Sequence, residues 1–149
     1  LTRFLLDTSV LSAFAPERSP ASEGIKRWMA EQGEAETLFI PSIAVAEIER
    51  DVRKLRRAGG DVRADRLGEW LDGLIGLFGD RIAAIDANVA RVAGAIDDAA
   101  TAKGRNPGLA DVLIAAIAKT HGMTLLTTNG RHFQFLEVDY ANPFEKLPG

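Results

Sequence analysis

The chain reads as one α/β domain of three layers, α/β/α, around a mostly parallel central sheet of four to five strands. Three observations predict this. The apolar runs "RFLL", "TLFIPS", "RIAAID" and "MTLLTT" lack strict alternation, as strands buried on both faces of a parallel sheet do. They alternate with amphipathic segments, which implies right-handed crossovers and helices on both faces of the sheet. The 149 residues, 46% of them hydrophobic, suffice for one core and require no second domain, so a single domain over 1–149 is expected.

In order along the chain, "RFLL" ahead of Asp7 is the first strand and Pro16 to Pro20 a loop. Ala21 to Gln32 follows as a helix with Ile25, Trp28 and Met29 inward. "TLFIPS" is the second strand, stopped by Pro41, and Ser42 is placed to cap the next helix. That helix has an inward stripe of Val45, Ile48, Val52 and Leu55 and ends at Gly59-Gly60. Val62 to Phe78 is a second amphipathic helix, with Leu67, Trp70, Leu71, Leu74, Ile75 and Phe78 forming a broad, mostly core-facing surface. "RIAAID" is the third strand, and Ala87 to Lys103 an alanine-rich helix closed by Gly104. "NPG" introduces a helix from Leu109 to His121, ended by Gly122. "MTLLTT" is the fourth strand and "FLEVDY" a short fifth.

Composition excludes several kinds of chemistry. With no cysteine, disulfides, thiolate metal sites and thiol catalysis are impossible, and any metal must be held by oxygen or by the two histidines. No apolar run approaches the roughly 20 residues of a membrane helix, and no signal peptide is recognisable, so a soluble cytoplasmic protein without membrane contact is expected. Leu1 stands in place of an initiating methionine, with little expected ahead of the first strand. The net charge of -3 gives no general electrostatic reason to bind nucleic acid. Locally, however, Arg50, Arg53, Lys54, Arg56, Arg57, Arg63 and Arg66 stand against Asp51, Asp61 and Asp65. That cluster is either a solvated helix face or a patch that meets phosphates.

In open α/β sheets, ligands bind outside the carboxyl ends of the strands, where strand order reverses. Asp7 follows the first strand, and Asn129, after Thr127 and Thr128, follows the fourth. Asp111 falls in the first turn of a helix that is apolar nearly all round, where a carboxylate needs compensation; the helix N-terminus is one source, and capping one explanation. Glu47 lies at the edge of its helix's inward stripe and alone reads as a surface glutamate. Were the three carboxylates to converge, their repulsion would be costly without a cation between them. Hard oxygen donors suit Mg²⁺, with Mn²⁺ as the other choice. Such an ion leaves positions for water and a phosphate oxygen, which is phosphodiester-cleavage chemistry. His132, ahead of Phe133, reads as a surface residue and His121 as a helix end cap; neither is assigned to chemistry.

Four pieces in order, "FLLDTSV", "PSIAVAEIERDV", "GLADVLIAAIA", and "TLLTTNGRHF" followed by "VDYANPF", make the chain resemble the PIN-domain ribonucleases from Phe4 to Phe144. The likeness is to the VapC-like toxins of bacterial type II toxin-antitoxin systems, and the Asn142-Pro143-Phe144 ending is similar to FitB-like members. The resemblance implies that Asp7, Glu47 and Asp111 hold Mg²⁺ or Mn²⁺, directly or through water. It implies an endoribonuclease in which metal-activated water cleaves RNA to 5′-phosphate and 3′-hydroxyl ends. The family often has a fourth acid where Asn129 stands; the asparagine completes the polar shell without charge. Ser9 replaces the usual asparagine of the first motif, and its hydroxyl, like that of Thr128, is expected to orient Asp7 or a water. A homodimer is also implied, as is a VapB-like antitoxin whose helix occupies a groove over Leu67, Trp70, Leu71 and Leu74 and whose basic side chain reaches the acidic site.

Two other readings compete. One is a catalytically weak module of the same fold, with poor metal affinity because of Asn129, acting mainly through complex formation with a DNA-binding antitoxin. The other is a phosphatase or phosphoacceptor with Asp7 as nucleophile. It ranks last, because the second aspartate of the dehalogenase-like pattern falls at Ser9 and no equivalent lysine motif is present.

Overall fold

The computed structural model describes residues 1–149. Five strands, β1 (Phe4–Leu6), β2 (Leu38–Pro41), β3 (Ile82–Ala83), β4 (Thr124–Leu126) and β5 (Tyr140–Ala141), form one sheet in the order β3-β2-β1-β4-β5. Every pairing is parallel. The chain steps outward from β1 to β2 and β3, then returns to the opposite side of β1 for β4 and β5. Strand order therefore reverses between β1 and β4, and a crevice opens at their carboxyl ends.

Seven helices, α1 (Thr8–Ser12), α2 (Glu23–Glu34), α3 (Ser42–Arg57), α4 (Asp61–Phe78), α5 (Ala87–Ala102), α6 (Leu109–His121) and α7 (Gly130–Phe133), connect and cover the strands. Successive residues of β1 serve opposite faces, as a strand's period of two dictates. Leu5 packs with Ile96 of α5 and Ile114 and Ile117 of α6. Phe4 and Leu6 join the second core with Val10, Trp28 and Phe78, where the Phe4 and Trp28 rings meet edge to face at 5.1 Å. These two cores make the three layers. α6 ends at Gly122, whose φ of +64° is the left-handed conformation that closes a helix.

Several sequence expectations are corrected. Ser42 does not cap α3: extended Pro41 takes the cap position without a side-chain bond, so Ser42 is already helical and its hydroxyl is misplaced for capping. The inward face of α4 is narrower than expected, with Ala64, Leu71 and Phe78 buried at seven-residue steps, and Ile75 is exposed. The fifth strand does not span "FLEVDY". Its first part is a turn, Glu137 adopts a φ of +55°, and only Tyr140–Ala141 pairs with β4. The short helices α1 and α7 are additions, each immediately following a strand-end residue of the crevice.

Candidate active site

The parallel register pairs Leu6 with Leu126, and the next step brings Asp7 beside Thr127. The Asp7 amide donates to the Leu126 carbonyl at 2.9 Å, which extends the ladder past β1. Asp7 is only 5% exposed, and its carboxylate accepts three hydrogen bonds, leaving Oδ1 with one donor. Its Oδ1 accepts from the Thr8 amide at 2.9 Å, the bond of an N-cap for α1. Its Oδ2 accepts from Ser9 Oγ at 2.8 Å and from Thr127 Oγ1 at 2.7 Å. A buried charge with three donors is stabilised and fixed in direction. The strand-end carboxylate is thus both a helix cap and a rigid group in the crevice.

The two threonines after β4 divide the work. Thr127, fully buried, holds Asp7 and also accepts from the Asn129 amide at 3.0 Å. Thr128 contributes its backbone N–H, donating to Ser9 Oγ at 3.1 Å. Thr127 and Thr8 are the residues that sequence reasoning missed. Asp7 lies next to Thr8, and the position after a two-sided buried strand is where a buried hydroxyl belongs; both were available signals.

Glu47 is half-buried near the start of α3, and its Oε1 accepts from Thr8 Oγ1 at 2.7 Å. Asp111, in the first turn of α6, has a side chain 29% exposed, with His132 Nδ1 of α7 at 3.3 Å from Oδ2. Burial pushes the Asp111 pKa up, the charges of Asp7 and Glu47 push it further, and His132 opposes them. The charges of Asp7 and Glu47 therefore reach Asp111 and disfavour its own negative charge. Asn129 is exposed and precedes α7, and its side chain makes no hydrogen bond to the acids. His132 is exposed, as expected, but its contact with Asp111 gives it a place beside the acids. His121 lies in the last turn of α6, and its carbonyl accepts from the Arg3 guanidinium.

No three Asp, Glu or His side chains stand close enough together to chelate an ion in this conformation. By chemistry the set still fits a hard divalent cation: all donors are oxygens, and an ion would relieve the repulsion that adds to burial in raising the Asp111 pKa. Asp7, Glu47 and Asp111 are the residues that would hold it.

The expected partner groove divides into two hollows. Trp70 and Leu74 line an apolar one of about 350 Å³ with Leu11, Phe14 and Met29. Leu67 and Trp70 line another of about 420 Å³, whose walls include Glu17, Arg18 and Lys54. Leu71 is buried and belongs to neither. No helix is long and apolar enough to cross a membrane.

A family model described as PIN domain matches residues 4–139. Plasmid stability protein StbB of Pseudomonas syringae pv. tomato is 31% identical over 142 residues, covering 95% of this chain and 98% of that protein. Toxin FitB of Neisseria gonorrhoeae is 31% identical over 141 residues, covering 94% and 97%. The solved structure of FitAcB from Neisseria gonorrhoeae superposes with a TM-score of 0.80 at 31% identity, covering 95% of this chain and 98% of that one. DNA-bound VapBC from Salmonella typhimurium shares the fold, with a TM-score of 0.78 at 21% identity and coverage of 95% and 98%.

Proposed function

The chain belongs to the PIN-domain family, whose members are generally nucleases, and on that premise we propose that it is a toxin-antitoxin toxin acting as a metal-dependent endoribonuclease. The observation that carries this reading is the fixed carboxylate of Asp7 at the β1/β4 reversal, whose charge bears on Asp111 together with that of Glu47. Mg²⁺ or Mn²⁺, when bound there, would supply Lewis acidity toward water and the phosphoryl group. Asp7 offers a carboxylate whose direction is set by Thr8, Ser9 and Thr127. Thr8 holds Glu47 toward the same crevice, and His132 restrains Asp111 from its exposed side. Asn129, at the crevice mouth, has a side-chain carbonyl able to orient a water without adding charge. The expected products carry 5′-phosphate and 3′-hydroxyl ends.

The partner in this reading is a VapB-like antitoxin. The solved relatives FitAcB and FitAB bound to IR36 DNA support that choice, and the apolar hollow at Trp70 and Leu74 has the character of a groove for a helix. A homodimer in the cytoplasm is the working assembly. A second reading, a catalytically weak module that acts through its antitoxin, is favoured by one observation: the acids do not form a ready three-ligand group, and the fourth corner is the uncharged Asn129.

Cleavage of a panel of structured and single-stranded RNAs in Mg²⁺, Mn²⁺ and EDTA separates the two. The nuclease reading expects cutting that EDTA stops and that Asp7→Asn and Asp111→Asn abolish, while circular dichroism shows both variants folded. Cutting at the original rate by both variants would sink the assignment, and no cutting of any RNA at any metal concentration would favour the module.

A further inference from the structure

Two sets of arginines differ sharply in their surroundings. In the α3–α4 hairpin, Arg50, Arg53, Arg56, Arg63 and Arg66 each hold a carboxylate, supplied by Asp51, Glu49, Asp61 with Asp65, and Glu17 for the last two. The basic cluster of the sequence is therefore largely neutralised by its own surroundings. Arg105 and Arg131, by contrast, form no salt bridge and stand beside the acidic crevice. The Arg105 guanidinium carbon lies 3.8 Å from the centroid of the Phe135 ring.

Between these two arginines is a hollow of about 500 Å³ that has Asn106, His132 and Gln134 on its rim and Asp111 in its wall. Arg131, His132 and Gln134 also border a polar hollow of about 460 Å³ that contains Asn129, so the two openings meet across α7. Phe135 and Leu136 are the main apolar contributions to the first hollow, too few to seat the apolar face of a partner helix.

Resting on the nuclease reading of the adjoining acids, we propose that this hollow is a subsite for one unpaired nucleotide of the RNA substrate. Its base stacks on the outer face of the Arg105 guanidinium, which is seated on Phe135, and its phosphate is drawn to Arg131. A cation held over an aromatic face is restrained in position, and a guanidinium plane stacks on any base. The volume is in the range of a small-ligand site, and a base within a duplex has its faces covered by its neighbours. Because Asp111 belongs both to this wall and to the acidic set, a nucleotide bound here has its adjoining phosphodiester beside the acids.

The test is binding measured by fluorescence anisotropy in EDTA, where cleavage does not intervene. The probes are a short labelled oligoadenylate, an abasic ribose-phosphate chain of the same length, and a labelled blunt-ended RNA duplex. The wild-type protein is expected to prefer oligoadenylate over the abasic chain by about ten-fold, the scale of one stacked base. Arg105→Lys keeps the charge but not the plane, and should remove that preference while leaving abasic binding unchanged; Phe135→Leu should do the same with the apolar packing retained. Arg131→Ala should weaken both single-stranded probes equally and flatten their salt dependence. A wild-type protein without the preference, an Arg105→Lys variant that keeps it, or a blunt duplex bound as tightly as oligoadenylate would each overturn the proposal. Failure of the nuclease reading has a different signature: no cleavage in Mg²⁺, with the EDTA binding pattern intact.

Discussion

Thr127→Val tests whether the Thr127 hydroxyl serves the Asp7 charge. Valine has nearly the shape of threonine, so the substitution removes one hydroxyl from a fully buried position without opening a cavity. Three contacts are lost: the 2.7 Å donation to Asp7 Oδ2, the acceptance from the Asn129 amide at 3.0 Å, and a long 3.4 Å contact with Ser9 Oγ, which keeps its own bond to Asp7. The first is a hydrogen bond to a charged group, about 1.5–3 kcal/mol. The second costs little, because Asn129 is exposed and its amide can turn to water. The new buried methyl returns up to about 0.8 kcal/mol. The net expectation is a loss of about 1.5 kcal/mol, or about 5 °C in Tm for a domain of this size. Thermal and urea unfolding in EDTA, followed by circular dichroism, measure it. The decisive comparison repeats the substitution in the Asp7→Asn background, where the hydroxyl meets a neutral amide and its removal should cost about 1 kcal/mol less. If Thr127→Val costs as much in that background, the hydroxyl serves the turn after β4 and not the carboxylate, and the reasoning fails.

Other outcomes follow from the same geometry. The raised pKa of Asp111 means that the folded protein holds this proton more tightly than the unfolded chain, so this group's contribution to stability declines as pH rises from the ordinary 3.8 through the raised folded value. Asp111→Asn in EDTA should therefore be more stable than wild type at neutral pH, by a margin that grows across that window and then levels off; urea midpoints across pH measure it, and a constant margin would refute it. Mg²⁺ should raise the Tm of wild type more than that of Asp111→Asn, as a calorimetric scan with and without the ion would show. Gly122→Ala meets no steric obstacle but must hold a φ of +64°, and should cost about 1 kcal/mol in chemical denaturation. Leu125→Ala, at a fully buried position of β4, should cost about 3 kcal/mol by the same measurement.

The fold was legible because its strands are short, apolar on both faces and separated by helical stripes, a pattern that few architectures share. Asp7, Glu47 and Asp111 were legible as candidates because each sits near the beginning of a helix or the end of a strand, where a crevice forms. The residues that hold them were harder to read. The role of Thr127 depends on the Leu6–Leu126 register, which sequence periodicity does not specify across a crossover of this length. Phe135 meets Arg105 from the turn that follows α7, in a stretch whose apolar residues read as a strand. Ile75 was misjudged because helical spacing shows which residues share a face, not how much of that face a neighbour covers.

The distribution of charge bears on how a protein with a net charge of -3 approaches a polyanion. At physiological ionic strength, screening acts over about 8 Å, so the sum over the whole chain matters less than the groups within one such length of the crevice. In the α3–α4 hairpin the positive charges that dominate the sequence are met by Glu17, Glu49, Asp51, Asp61 and Asp65. At the crevice the balance is reversed in kind. Burial and the charges of Asp7 and Glu47 raise the Asp111 pKa, while Arg105 and Arg131 beside the same hollow have no acidic partner. A cation at the acids would turn this corner from a mixture of opposed charges into a positive surface without any change in the fold. In the nuclease reading, metal binding therefore prepares the approach of the substrate as well as its cleavage, and the arginines most visible in the sequence contribute least to it.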